Sequence, residues 1–210
     1  MRSQAGLPLL RKELTLLIFV TVIFVVGLVF GALLVNALTM DQQRELAENV
    51  QLLAKRALAD APGAGGGDFA GRAAFYAKWL LLIWVLGVTV VGMPLVLALD
   101  FFKGVLVGFA VATLVNEHAW RGLLFSLASV APQNLIVVPA LLIASVSALS
   151  FSLYVIRSRL LNRYGTLSGP LAAHTSTALL MLLIATGAAL VETYASPVLL
   201  KWAAPLIYGA

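Results

Sequence analysis

The chain has 210 residues, 61% of them hydrophobic and 11% charged, against roughly 45–50% and about 25% in an average soluble domain. That balance excludes an ordinary soluble domain, because a globule of this size cannot bury so much apolar side chain and lipid has to cover the surplus. The formal charge of +5 falls on two short stretches, Arg2–Glu13 and Arg157–Arg163, while the remaining acids and bases cancel, so no basic nucleic-acid face is expected. With no cysteine and only His118 and His174, neither a disulfide framework nor a thiolate or histidine metal centre is within reach. No catalytic residue, metal or cofactor is expected.

The first apolar run, Leu14 to Leu38, is long enough to cross a hydrocarbon layer of about 30 Å. It is too long for a cleavable signal peptide, so it is expected to stay as TM1 (14–38). Within it Gly27 and Gly31 form a G-x-x-x-G pair, the spacing that lets helix backbones touch in lipid, either inside the bundle or across a homodimer. Gly104 and Gly108 repeat that spacing further along.

Residues 39–78 follow, with balanced charge, as an extracytoplasmic helical loop. Here Leu46, Val50, Leu53 and Ala57 recur at helical spacing against charged and amide residues, predicting an amphipathic helix from Asp41 to Ala61. The run Ala61-Pro-Gly-Ala-Gly-Gly-Gly ends it. The stripe of Leu46, Val50 and Leu53 is the candidate surface for a protein partner.

A second span is predicted over 79–99, kinked at Pro94, then a short cytoplasmic turn at Asp100-Phe-Phe-Lys103, then a brief TM3 over 104–116. A helix over 120–131, re-entrant or interfacial, precedes Pro132-Gln133-Asn134, which is either a break at depth, with the amides satisfying the freed carbonyls, or a turn of the chain at the outer interface. TM4 (134–156) bends at Pro139, a basic loop (157–170) returns the chain to the cytoplasm, and TM5 (171–191) leads to an interfacial tail over 195–210. Because basic residues near span ends stay inside, the N-terminus is expected in the cytoplasm and the C-terminus outside.

The order Gly27-Leu-Val-Phe-Gly-Ala-Leu-Leu-Val-Asn36, Trp84-Val-Leu-Gly-Val-Thr-Val-Val-Gly-Met-Pro94, Phe102-Lys-Gly-Val-Leu-Val-Gly-Phe109, Ser129-Val-Ala-Pro-Gln-Asn-Leu-Ile-Val-Val-Pro-Ala140 and Glu192-Thr-Tyr-Ala-Ser-Pro197 resembles the stage II sporulation protein M family over nearly the whole chain. Residues 60–68 are the least similar. The resemblance implies a non-enzymatic integral membrane component of the sporulation engulfment machinery at the septal membrane, acting with a peptidoglycan amidase and a lytic transglycosylase.

Two other classes compete with that reading. Glu117-His-Ala-Trp-Arg121 is similar to part of the signature of CAAX-type intramembrane proteases, but only one glutamate is present, and Glu117 with Arg121 makes an ion pair at helical spacing equally well. A transporter is suggested by the broken segment at 132–134. Against it, the charged residues all fall at the predicted span ends, leaving the centres without the ionisable groups that coupled transport uses. The expected architecture is thus an all-α polytopic membrane protein of five spans, with one re-entrant or interfacial helix and one extracytoplasmic amphipathic helix.

Overall fold

The computed structural model describes residues 6–39, 41, 42, 45, 48, 69–89, 91–160, 167–196, 198, 199 and 202, with backbone alone over parts of 6–11, 117–129 and 159–160. It is all-helical over these residues. The elements are α1 (Gly6–Asn36), α2 (Phe69–Val88), α3 (Gly92–Ser129), α4 (Ala131–Leu160) and α5 (Ser168–Leu190), the last passing into a π-helical turn, Val191–Ala195. Five stretches are long and apolar enough to cross a membrane: Lys12–Asn36, Phe69–Val88, Gly92–Asn116, Ala131–Ser158 and Ser168–Ala195.

Five spans were expected, but the second and third are drawn elsewhere along the chain. The predicted 79–99 span is cut in two at residues 89–91, where Thr89 N–H and Oγ1 both donate to the Leu86 carbonyl and Gly92 N–H donates to Thr89 O. The β-branched run Val88-Thr89-Val90-Val91 and then Gly92 and Pro94 disfavour a continuous helix there. A side chain at Gly92 would strike the Leu86 carbonyl, so the turn needs glycine. Pro94 does not kink a span; it stands in the first turn of α3, where its missing N–H has no intrahelical acceptor to lose. Likewise Asp100 and Lys103 are not a cytoplasmic turn but lie inside α3, within the third span.

The predicted helix over 120–131 is not a separate element either, since α3 runs unbroken to Ser129. At about 1.5 Å per residue its 38 residues extend to about 57 Å, nearly twice the hydrocarbon thickness. It does not stay straight. Asp100 bonds Ser145, which sets α3 and α4 antiparallel with Val111 near the level of Asn134, yet Leu127 and Val130 line the same groove as Val107, Val111 and Asn134. The last turns of α3 therefore curve back to the bundle, and the chain reverses at Val130.

Helices α1 and α3 run parallel and touch along their backbones. A Cβ added at Gly27 would fall on the Phe101 carbonyl and one at Gly31 on the Val105 carbonyl, while Gly104 and Gly108 meet the Phe24 and Leu28 carbonyls in the same way. Two G-x-x-x-G faces are thus interlocked at a constant register, in the manner of small-residue membrane contacts. The opposite face of α1, with Ile18, Val22, Val29 and Leu33 each about half exposed or more, is left for lipid.

Helix α4 is the central strut. Over half of its most apolar window is buried, twice the share found in any other span, through Val137, Leu141, Ala144, Ala148 and Leu149, which pack with Val20, Ile83, Val96 and Met181. At Gly87 the second helix comes so close to α4 that a Cβ would lie 2.6 Å from that of Ala148. Ser152 then donates to the Gly87 carbonyl at 2.7 Å and to that of Thr89 at 3.3 Å, satisfying acceptors that the end of α2 leaves open.

Candidate functional site

Where α2 begins and α5 ends, four helices bring polar side chains together inside the spans. Arg72 and Tyr76 lie one turn apart on α2 and both turn to Glu192 on the π-helical turn. The guanidinium sits 2.6 Å from one carboxylate oxygen, and the phenol donates to the other at 2.5 Å. Lys103 reaches into the same recess from α3, its ammonium 5.9 Å from the centre of the Trp79 ring. Gln133 and Asn134 close it from the start of α4, and Ser196 donates to Gln133 Oε1 at 3.4 Å. The π-helical turn matters here: its wider winding changes the helix register just where Glu192 points at Arg72.

A second polar group lies deeper. Asp100 is 3% exposed and accepts from Ser145 Oγ at 2.9 Å, while its other carboxylate oxygen is buried with no hydrogen-bond partner among the described residues. Towards the opposite end of the bundle, His174 is 2% exposed and stacks on Phe151. The Trp84 carbonyl can only accept, so His174 Nε2 donates to it at 3.4 Å and Nδ1 accepts from Ser147 Oγ at 3.0 Å. Both ring nitrogens are thereby engaged, which makes this histidine a structural tie between α2, α4 and α5. Among the described residues no three acidic, histidine or cysteine side chains gather as a metal site.

Sequence-predicted residues fall in three groups. Gly27, Gly31, Gly104 and Gly108 meet as one contact between α1 and α3. Of the two alternatives for Pro132, Gln133 and Asn134, a re-entrant break or a turn of the chain, the three residues occupy the first turn of α4 directly after the reversal at Val130, and Pro139 lies inside α4. Leu46, Val50 and Leu53, and the side chains of Glu117, His118 and Arg121, lie outside the described residues. The start of the amphipathic segment is visible: Thr39 N–H donates to Gln42 Oε1 at 3.0 Å and Gln42 N–H to Thr39 Oγ1 at 3.5 Å, a reciprocal cap readable in Thr39-Met-Asp-Gln42.

The expectation that span centres carry no ionisable group is overturned by Asp100 and Lys103. Apolar neighbours and a nearby opposite charge had marked them as a loop, yet Asp100 finds its partner 45 residues on and Lys103 an aromatic face on α2. Arg72 and Tyr76 are not singled out by the sequence, and Lys103 and Glu192 enter it only within a turn and the family motifs, not as members of a site. The signal available was the placement of Arg72 and Tyr76 four residues apart beside an apolar run, which puts both on one helix face.

Asn134 has a defined task. Its Nδ2 donates to the Val130 carbonyl at 2.7 Å, at the point where the chain reverses between α3 and α4. Asn134→Leu strands that carbonyl and is expected to lower stability by about 1–2 kcal/mol, the lower part of the usual range because the site is half-buried. Thermal unfolding in detergent measures it; an unchanged midpoint would show the turn held by other means.

No curated protein and no solved structure matches this chain. The family model described as stage II sporulation protein M matches residues 20–197, from within α1 to just past the π-helical turn that carries Glu192. With five membrane-spanning helices and a match over most of its length, the chain belongs to the stage II sporulation protein M family, and is a membrane protein of that sporulation family.

Proposed function

We propose that this protein is a non-enzymatic scaffold of the sporulation engulfment machinery, holding a peptidoglycan amidase and a lytic transglycosylase at the septal membrane. Family membership over residues 20–197 carries this reading. The fold supports it in one respect. The contact between α1 and α3 holds the end of α1 at Asn36 in a set place, so a partner bound just beyond it in the sequence would be held at that place on the membrane. In this reading the N-terminus is cytoplasmic, the 40–68 segment lies outside, and the stripe of Leu46, Val50 and Leu53 meets the partner. Leu46→Glu with Leu53→Glu is expected to abolish co-purification of the wall hydrolases while the spans stay folded, and Glu117→Gln to leave engulfment intact. Undiminished co-purification from the doubly charged stripe removes the stripe as the contact, and loss of engulfment from a well-folded Glu117→Gln protein favours an enzyme.

A second reading, a transporter-like membrane protein, gains support from one observation. Asp100, Lys103, Arg72 and Glu192 stand within the spans, where ionisable side chains commonly mark a pathway. Asp100→Asn keeps the bond to Ser145 and removes the charge. Under the scaffold reading this variant complements fully; under the transport reading it folds and fails.

A further inference from the structure

Two recesses of opposite character meet at Asn134. The first is an open polar recess of about 320 Å³ lined by Arg72, Tyr76, Lys103, Gln133, Asn134 and Glu192. The second is an apolar groove of about 370 Å³ between α1, α3 and α4, lined by Phe24, Leu28, Val107, Val111, Leu127 and Val138, with Asn134 at its edge. Each volume falls in the range of about 300–1,000 Å³ typical of small-molecule sites.

The charges in the polar cavity do not cancel. Arg72 is neutralised by Glu192 at 2.6 Å. Among the described residues Lys103 has no carboxylate within salt-bridge distance; Glu192 attracts it from further off but is already matched by Arg72, so one positive charge is left over, and the ammonium faces the Trp79 ring and the cavity. Its Cα lies near the middle of the third span, beside Gly104, which abuts Phe24 at the middle of the first. A cation at that depth is costly unless a counter-charge meets it. One negative group in the cavity would neutralise Lys103, accepting hydrogen bonds from its ammonium and from the Arg72 guanidinium. The adjoining groove offers almost no polar atom, so the remainder of the same ligand has to be hydrocarbon.

We propose that this pair of recesses is a binding site for one anionic phospholipid, its phosphate drawn to Lys103 and Arg72 and an acyl chain laid along Leu28, Val107 and Val111. A soluble anion would satisfy the cavity but leave the groove without an occupant, and a zwitterionic lipid would fill the groove but bring its own cation to Lys103. The site asks for both features in one molecule, and the bilayer supplies such molecules at the mouth of the groove.

The test uses the full-length protein in nanodiscs of phosphatidylcholine with phosphatidylglycerol added in steps, followed by native mass spectrometry and thermal unfolding. Phosphatidylglycerol is expected to be retained at least tenfold more than phosphatidylcholine and to raise the melting temperature, whereas inorganic phosphate at millimolar concentration does neither. Lys103→Met is expected to reduce the preference to near unity and Lys103→Arg to keep it; Val111→Trp, which fills the groove and spares the charges, should reduce retention of both lipids. Equal retention of the two lipids by the unaltered protein overturns the proposal, and needs no variant to fold. So does a melting shift reproduced by inorganic phosphate alone, which would make the cavity a site for soluble anions, or an unaltered preference in a folded Lys103→Met protein.

Discussion

Gly31→Leu is expected to lower the stability of the bundle by about 3 kcal/mol or more, at the upper end of what overpacking does. A Cβ at this position lands on the Val105 carbonyl oxygen. Backbone cannot swing aside as a side-chain end can, so relief requires the two helices to part. Parting α1 from α3 at Gly31 also loosens the contacts at Gly27, Gly104 and Gly108, because one register serves all four. Even Gly104→Ala should be felt, at about 1–3 kcal/mol, since the first carbon already collides with the Phe24 carbonyl. Gly187→Ala is the control, as a Cβ there meets nothing within 4 Å. Melting temperature and monodispersity in detergent measure the series. Were Gly31→Leu to melt like the control, α1 and α3 could not be in contact as described.

The second large effect belongs to Glu192. Arg72→Leu leaves a carboxylate inside the spans with Tyr76 as its one remaining partner among the bonds described. Removing one member of a fully buried pair typically costs about 3–5 kcal/mol. Arg72 and Glu192 lie near the ends of their spans and keep 27% and 22% of their side-chain surface exposed, so the pair is only part-buried and the expected loss is about 2 kcal/mol. Glu192→Leu should cost a similar amount by stranding the guanidinium. The double variant should be less damaged than the sum of the two, because it leaves no unpaired charge behind. A double-mutant cycle of unfolding free energies tests this directly: strictly additive losses would mean that the pair is not coupled.

What the sequence reveals and conceals follows from where each residue's partner lies. The number of spans was legible because hydropathy is a local property, summed over a window. The G-x-x-x-G pairs were legible because a helix repeats its faces at fixed spacing, and a bare glycine ridge in lipid needs a backbone opposite it. Asp100 and Lys103 were misread for the complementary reason. Whether a charge ends a span or lies inside it depends on Ser145 and Trp79, which no window around residue 100 contains. Moving those two residues into a helix shifts the second and third spans together, so one error of partnership became two errors of boundary. The polar cavity was hidden in the same way, its members coming from α2, α3, α4 and the π-helical turn.

The parallel contact between α1 and α3 also bears on how the protein is made. Helices adjacent in sequence can pair as a hairpin as soon as the second is inserted, but α1 makes most of its helix contacts with α3, and Gly27 waits for Phe101, some 74 residues later. At roughly 5–20 residues per second that interval is about 4–15 s. Throughout it the backbone that meets the glycine ridge in the finished fold has not been made, and the ridge is open to lipid, to the insertion machinery or to another nascent α1. A chain arrested just before residue 101 would hold that open state indefinitely. The closing of the bundle on this face cannot precede the emergence of the first turns of α3.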